Sequence, residues 1–221
     1  MPYPSVILPG YLAGSKDYEM MAKYMTDRGF TAVVVPLKWW EWLPTVGGRS
    51  VVPIIDRLDQ TVKQTLATYQ TDKVNIIGHS AGGWLARIYL GEKTYYDRVW
   101  QGKNIVSQLV TLGTPHTSQE PWTKKNLGFV NEEYPGAFYE DVRYICVAGK
   151  AVLGKDNWLA YQSYNLTIGD GNTWGDGITP IEAAHLAGAE NIVIEDASHS
   201  PKQPPWYGTD RIINEWLSRL N

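Results

Sequence analysis

With 221 residues, 43% of them hydrophobic, the chain has the length and apolar content of one globular domain with a sizeable core, which sets it apart from disordered segments. Its formal net charge is −3, and no Lys/Arg cluster offers a surface for a phosphate backbone, which argues against nucleic acid as a partner. Cys146 is the only cysteine, no basic-then-apolar leader follows Met1, and no apolar run approaches the roughly 20 residues needed to cross a bilayer, so a single cytoplasmic domain over residues 1–221 is expected.

The apolar run Ser5 to Leu8, closed by Pro9 and Gly10, predicts a buried strand. Asp17 to Arg28 carries Met20, Met21, Tyr24 and Met25 at helical spacing, with Gly29 as its stop. Thr31 to Val35 is β-branched and almost wholly apolar, which predicts a strand buried on both faces. Residues 37–49 are irregular and rich in Trp and Gly. A helix follows over Val51 to Gln70, its face marked by Ile55, Leu58, Val62, Leu66 and Tyr69, with Ser50 as the expected N-cap. Lys73 to Ile77 is a third strand and runs through Gly78-His79-Ser80-Ala81-Gly82-Gly83 into another helix. Ile105 to Leu112 and Val142 to Val147 are strands four and five. Between them, residues 117–141 have little periodic signal and suggest a small cap or lid insert. Residues 149–190 are expected to be loop-rich, with a helix near Pro180 to Leu186. Asn191 to Ile194 is a sixth strand, and a helix through Ile212, Ile213, Trp216 and Leu217 closes the chain. Strand and helix alternate throughout, which predicts an α/β fold with about six mostly parallel strands and chemistry at their carboxyl ends.

Gly78-x-Ser80-x-Gly82 lies where an apolar strand meets an apolar helix. A nucleophile on such a sharp turn needs small residues two places before and after it, because strand and helix pass close by. The turn would lift the Ser80 hydroxyl above the sheet and aim the Ala81 N–H at a developing oxyanion. A serine hydroxyl also needs a base. His199, just after the last strand, stands where a base can reach back over Ser80. His79 adjoins the nucleophile and should point away from its hydroxyl, while His116 follows the fourth strand and could line the site. Asp156, Asp170, Asp176 and Asp196 are candidates for the orienting carboxylate. Asp176, held in the tight turn Gly175-Asp176-Gly177-Ile178-Thr179-Pro180, is preferred, with Asp170 and Asp196 as the main alternatives. The Tyr11 N–H, in the turn after the first strand, is the second expected oxyanion donor.

Together these residues resemble the lipase and esterase branch of the α/β-hydrolase superfamily. Gly78-His79-Ser80-Ala81-Gly82-Gly83 is similar to the lipase nucleophile elbow. Pro9-Gly10-Tyr11 resembles the oxyanion loop, with Pro9 where histidine is usual, and the Gly-Asp-Gly-x-x-Pro turn at Asp176 resembles the one that carries the acid. The similarity runs from residue 5 to the last helix in the family's motif order. It implies a minimal fold without the first two strands, and a Ser80–His199–Asp176 triad cleaving carboxylic, lipid-like esters. A looser similarity is to lipid deacylases that act on inositol-anchored acyl chains.

Ten Trp and fourteen Tyr stand against three Phe. Trp39-Trp40-Glu41-Trp42-Leu43-Pro44 follows the second strand's carboxyl end, so Trp39 and Trp40 are expected either to touch substrate or a membrane surface, or simply to pack. His79 and His116 are counted with them as substrate-side residues, and Pro204-Pro205-Trp206-Tyr207 is expected on the same rim. The stretch Asp170 to Asp176 fails the calcium-loop pattern at its fifth and twelfth positions, Cys and His are too scattered for zinc, and no dinucleotide or phosphate motif occurs, so no metal or cofactor is expected. The same machinery would serve a thioesterase, amidase or acyltransferase, and a non-catalytic hydrolase-fold binding protein is the rival of a different class.

Overall fold

The computed structural model describes residues 2–220, apart from the side chain of Trp122. Its strands are β1 (Ser5–Leu8), β2 (Ala32–Val34), β3 (Val74–His79), β4 (Val106–Leu112), β5 (Arg143–Lys150), β6 (Val152–Leu153), β7 (Trp174–Gly175) and β8 (Glu190–Glu195). Six of them form one sheet in the order β2-β1-β3-β4-β5-β8, and every neighbouring pair is parallel. β6 and β7 pair separately and antiparallel.

The period of two along a strand assigns each residue to a face. Val6, Leu8, Ile76, Leu109 and Cys146 face a core closed by α2 (Val52–Tyr69), α3 (Ala81–Leu90) and α4 (Pro121–Glu133). Ile7, Ile77, Val110, Ile145 and Val147 face the opposite core, closed by α1 (Glu19–Asp27) and, after the short α5 (Trp158–Ile168) and α6 (Ile181–Ala184), by α7 (Asp210–Leu217). α3 lies against the centre of the sheet and all ten of its residues are buried, as its apolar content demands.

Two expectations are corrected, and two segments expected to be irregular carry helices. β2 is half-buried along its length, not buried on both faces, because it is the edge strand. The N-cap of α2 is Val51, and the Ser50 hydroxyl accepts from the Val52 N–H at 3.3 Å instead. Residues 117–141 contain α4, which packs on α3. Its inward stripe is partly polar: Leu127 and Val130 are buried, but so is Asn126, which donates to the Arg49 carbonyl and accepts from the Tyr95 hydroxyl. Residues 149–190 contain α5, opened by Asn157, whose side chain accepts from the Ala160 N–H, and ended by Gly169 in the left-handed region. α5 buries Ala160, Tyr164 and Thr167 while exposing Trp158 and Leu159, so it shows no apolar stripe.

Candidate active site

β3 passes directly into α3 through Ser80, whose backbone sits at φ 52°, ψ −125°. That conformation costs a non-glycine residue on the order of 1–3 kcal/mol and persists only where the surroundings enforce it. Here the Ser80 N–H donates to the Leu112 carbonyl at 2.9 Å, and the Thr114 hydroxyl donates to the Ser80 carbonyl at 2.8 Å, so the end of β4 clamps the turn from both sides. A Cβ at Gly78 would lie 2.6 Å from the backbone of Gly82 and Gly83, and one at Gly82 would lie 2.6 Å from the Leu8 carbonyl oxygen. Both glycines are therefore set by close backbone approach. Ala81 opens α3, so its N–H is among those with no acceptor inside the helix.

Asp176 is buried in the turn that leads from β7. Its Oδ1 accepts from the Thr179 N–H at 2.7 Å and the Ile178 N–H at 3.0 Å. Its Oδ2 accepts from the Tyr207 hydroxyl and lies 2.7 Å from His199 Nδ1. The His199 N–H also donates to the Asp176 carbonyl at 2.9 Å, so main chain and side chain fix the pair together. The other acids sit elsewhere: Asp170 Oδ1 accepts from the Asn172 N–H within its own turn, and Asp196 is exposed and paired with Arg211.

Ser80, Ala81, Tyr11 and His199 share the wall of one cavity of about 430 Å³. Trp42, Trp84 and Val51 supply apolar wall, and Ser118, Glu120 and Thr123 supply polar wall. Several expected contacts are not in that wall. Trp39 and Trp40 stand outside the cavity, 54% and 49% exposed and stacked edge-on to each other, while Trp42 turns inward and donates its indole N–H to the Ala13 carbonyl. His79 is buried beneath Ser80, with Nδ1 2.6 Å from the Tyr18 hydroxyl and Nε2 3.0 Å from the His199 carbonyl. His116 is buried among Arg87, Thr111 and Cys146. Placing His79 and His116 on the substrate side is thus corrected: both fill interior polar positions. Trp206 and Tyr207 are buried as well, not on the rim, and Tyr207 bridges Asp176 and the Gly149 N–H. Neither Tyr207 nor Tyr18 carries a sequence signal, because each acts through a single hydroxyl on a distant segment.

Burial, then the neighbouring His199, holds the His79 pKa well below the usual 6.5; burial, then Arg87 and His185, does the same at His116. Both rings are therefore neutral in the fold and gain protons on unfolding. Stability should be highest above pH 6.5 and fall as pH drops below it, because the unfolded rings take up protons that the buried rings do not. Urea denaturation at pH 7 and pH 5.5 checks this: the midpoint should fall at pH 5.5, and an unchanged midpoint would contradict it.

A family model described as the PGAP1-like alpha/beta domain matches residues 42–135, the segment that holds the Ser80 elbow and α4. Among solved structures, a gene product of Listeria innocua aligns over 100% of this chain and 96% of its own, at 14% identity and TM-score 0.56. A protein of Xanthomonas campestris pv. campestris described as a hydrolase of the alpha/beta superfamily aligns over 99% of each chain, at 15% identity and TM-score 0.54. Lipase B of Aspergillus fumigatus overlaps less, over 66% of this chain and 37% of the lipase, at 12% identity and TM-score 0.48. The parallel sheet order, the strained serine between β3 and α3 and the full-length structural matches agree: this chain is an α/β-hydrolase-fold protein.

Proposed function

We propose that the protein is a serine hydrolase that cleaves carboxylic esters with apolar acyl groups, with Ser80 as nucleophile, His199 as base and Asp176 as orienting acid. The observation that carries this is the His199–Asp176 pair at 2.7 Å beside a cavity that His199 shares with a strained Ser80. The buried Asp176 carboxylate can only accept, so it holds the His199 proton on Nδ1 and leaves Nε2 bare toward the cavity. Nε2 then takes the Ser80 proton as Oγ attacks the ester carbonyl. The oxyanion is stabilised by the Tyr11 and Ala81 N–H groups, and His199 returns the proton to the departing alcohol. Water repeats the sequence on the acyl-enzyme. The match to the PGAP1-like domain over residues 42–135 supports the reading.

The aromatic wall of Trp42, Trp84 and Tyr11 suits an apolar acyl chain, in a volume typical of small-molecule sites. A fluorophosphonate should label the protein at Ser80, and a series of nitrophenyl esters and thioesters of rising chain length should show the highest kcat/KM for medium or long acyl esters. Labelling at another residue would sink the assignment of the nucleophile, and a preference for thioesters would move the reaction class.

Exposed Trp39, Trp40 and Leu43 on one segment, and Trp158 and Leu159 on α5, suit transient contact with a lipid surface. Trp39→Ser with Trp40→Ser should lower the rate on emulsified long-chain ester several-fold relative to the rate on soluble acetate ester. An equal loss on both substrates would count against surface contact.

A further inference from the structure

Tyr18 and His79 lie beneath the site, fully interior, and the mechanism above uses neither. Their hydrogen bonds have only one consistent direction. The His199 carbonyl can only accept, so the His79 Nε2, 3.0 Å away, carries the ring proton. Nδ1 is then bare and must accept, and the group facing it at 2.6 Å is the Tyr18 hydroxyl, which therefore donates. The Tyr18 oxygen is left to accept, and the Gly10 N–H donates to it at 2.9 Å. Each polar group in the row is used, from Gly10 through Tyr18 and His79 to His199. The indole of Trp206 packs edge-on against both rings, at 5.5 Å from Tyr18 and 5.6 Å from His79, and keeps the row dry.

The ends of this row are the telling feature. Gly10 directly precedes Tyr11, the residue whose N–H is assigned to the oxyanion. His199 carries the base, and its own carbonyl is the acceptor. His79 is joined through the chain to Ser80. One unbranched row of hydrogen bonds thus ties together the oxyanion loop after β1, the elbow after β3 and the base loop after β8, three segments far apart in sequence. Gly10 itself cannot carry a side chain without crowding this row: a Cβ there would lie 3.0 Å from both His79 Nδ1 and Ser80 Cβ.

We infer that Tyr18 and His79 are positioning residues for ester hydrolysis, which set the distance between the oxyanion donor and the base through a directed hydrogen-bond row. The inference rests on the Ser80–His199 reading given above. Neither residue touches substrate, since neither lines the cavity. Their effect should therefore fall on kcat, where geometry at the reacting atoms counts, and leave KM for a small ester nearly unchanged.

Three measurements test this on the intact protein. Nitrogen-15 NMR of histidine-labelled wild type should show His79 as a neutral ring with the proton on Nε2; a proton on Nδ1 would overturn the row outright and needs no variant. Tyr18→Phe, which removes one oxygen, and His79→Leu should each lower kcat for p-nitrophenyl acetate by about tenfold with KM within about twofold, and the double variant should lose no more than the worse single one. His79→Gln, which keeps a donor near the ε nitrogen's place, should recover part of the loss. Single-variant losses that multiply in the double variant, or a loss that appears in KM, would overturn the inference. Ser80→Ala separates the two layers. If it still turns over ester, the underlying reading fails. If it is inactive while Tyr18→Phe and His79→Leu match wild type, the row alone fails.

Discussion

Ser80→Ala is expected to lower kcat on the order of a millionfold while leaving the fold in place. The substitution removes one oxygen from a turn that does not depend on it, because the Ser80 side chain makes no capping bond to α3. What holds the turn is main chain and neighbours: the Ser80 N–H on Leu112, the Thr114 hydroxyl on the Ser80 carbonyl, and the close approach of Gly78 to Gly82 and Gly83. Alanine would inherit the same positive φ and the same strain, so the melting temperature should move by no more than a few degrees. The cavity wall of Tyr11, Ala81 and Trp42 would persist and still bind ester. Residual catalysis over water, from binding and the oxyanion donors alone, would be about 10³- to 10⁴-fold. Turnover of p-nitrophenyl butyrate by wild type and variant, with fluorophosphonate labelling of both, checks this. A variant that keeps a tenth of the activity would remove Ser80 from the chemistry.

The parts of the fold legible in the sequence are those where packing leaves a pattern. Val74 to Ile77 and Val106 to Leu112 send apolar residues to both faces, around the buried polar Asn75, Gln108 and Thr111, because both faces of the sheet are covered there. Thr31 to Val35 has the same composition, yet it lies at the sheet edge, since composition does not record which strand has a neighbour on each side. α4 and α5 escape a search for apolar stripes for opposite reasons. α4 buries the polar Asn126 beside Leu127, and α5 exposes its large apolar residues. At the site, Ser80, Asp176 and His199 stand out because a sharp turn between two glycines and a Gly-Asp-Gly turn are local demands that a short motif can express. The tyrosines are different. Tyr18 is 61 residues from His79, and Tyr207 is 31 residues from Asp176. Each contributes one hydroxyl whose value depends wholly on tertiary placement, and nothing nearby in sequence announces it. Trp42 shows the same limit within one motif. Three tryptophans occur in four residues, and only the turn of the short helix over Trp39–Thr45 decides that Trp42 faces inward while its neighbours face out.

Asp176→Asn should lower kcat by about 10,000-fold at neutral pH, and the reason can be followed atom by atom. Oδ1 faces two backbone donors, the Ile178 and Thr179 N–H groups. An amide nitrogen there would set donor against donor, so the asparagine must place its oxygen on that side. Its NH₂ then falls where Oδ2 was, facing the Tyr207 hydroxyl and His199 Nδ1. An amide proton aimed at Nδ1 makes that nitrogen an acceptor and drives the ring proton to Nε2. The base would then present a proton to Ser80 where it needs a lone pair. Tyr207 loses its acceptor too, but it keeps the Gly149 N–H as a donor to its oxygen, so the turn should stay folded. The expected signature is a large fall in kcat with KM little changed, and partial recovery at high pH where hydroxide can replace the base. Asp170→Asn and Asp196→Asn serve as controls. Asp170 closes its own turn and Asp196 is exposed beside Arg211, so both should keep nearly full activity. If Asp196→Asn or Asp170→Asn were the inactive variant and Asp176→Asn were active, the carboxylate that orients His199 would have to be sought there, and the 2.7 Å contact at Asp176 would be structural only.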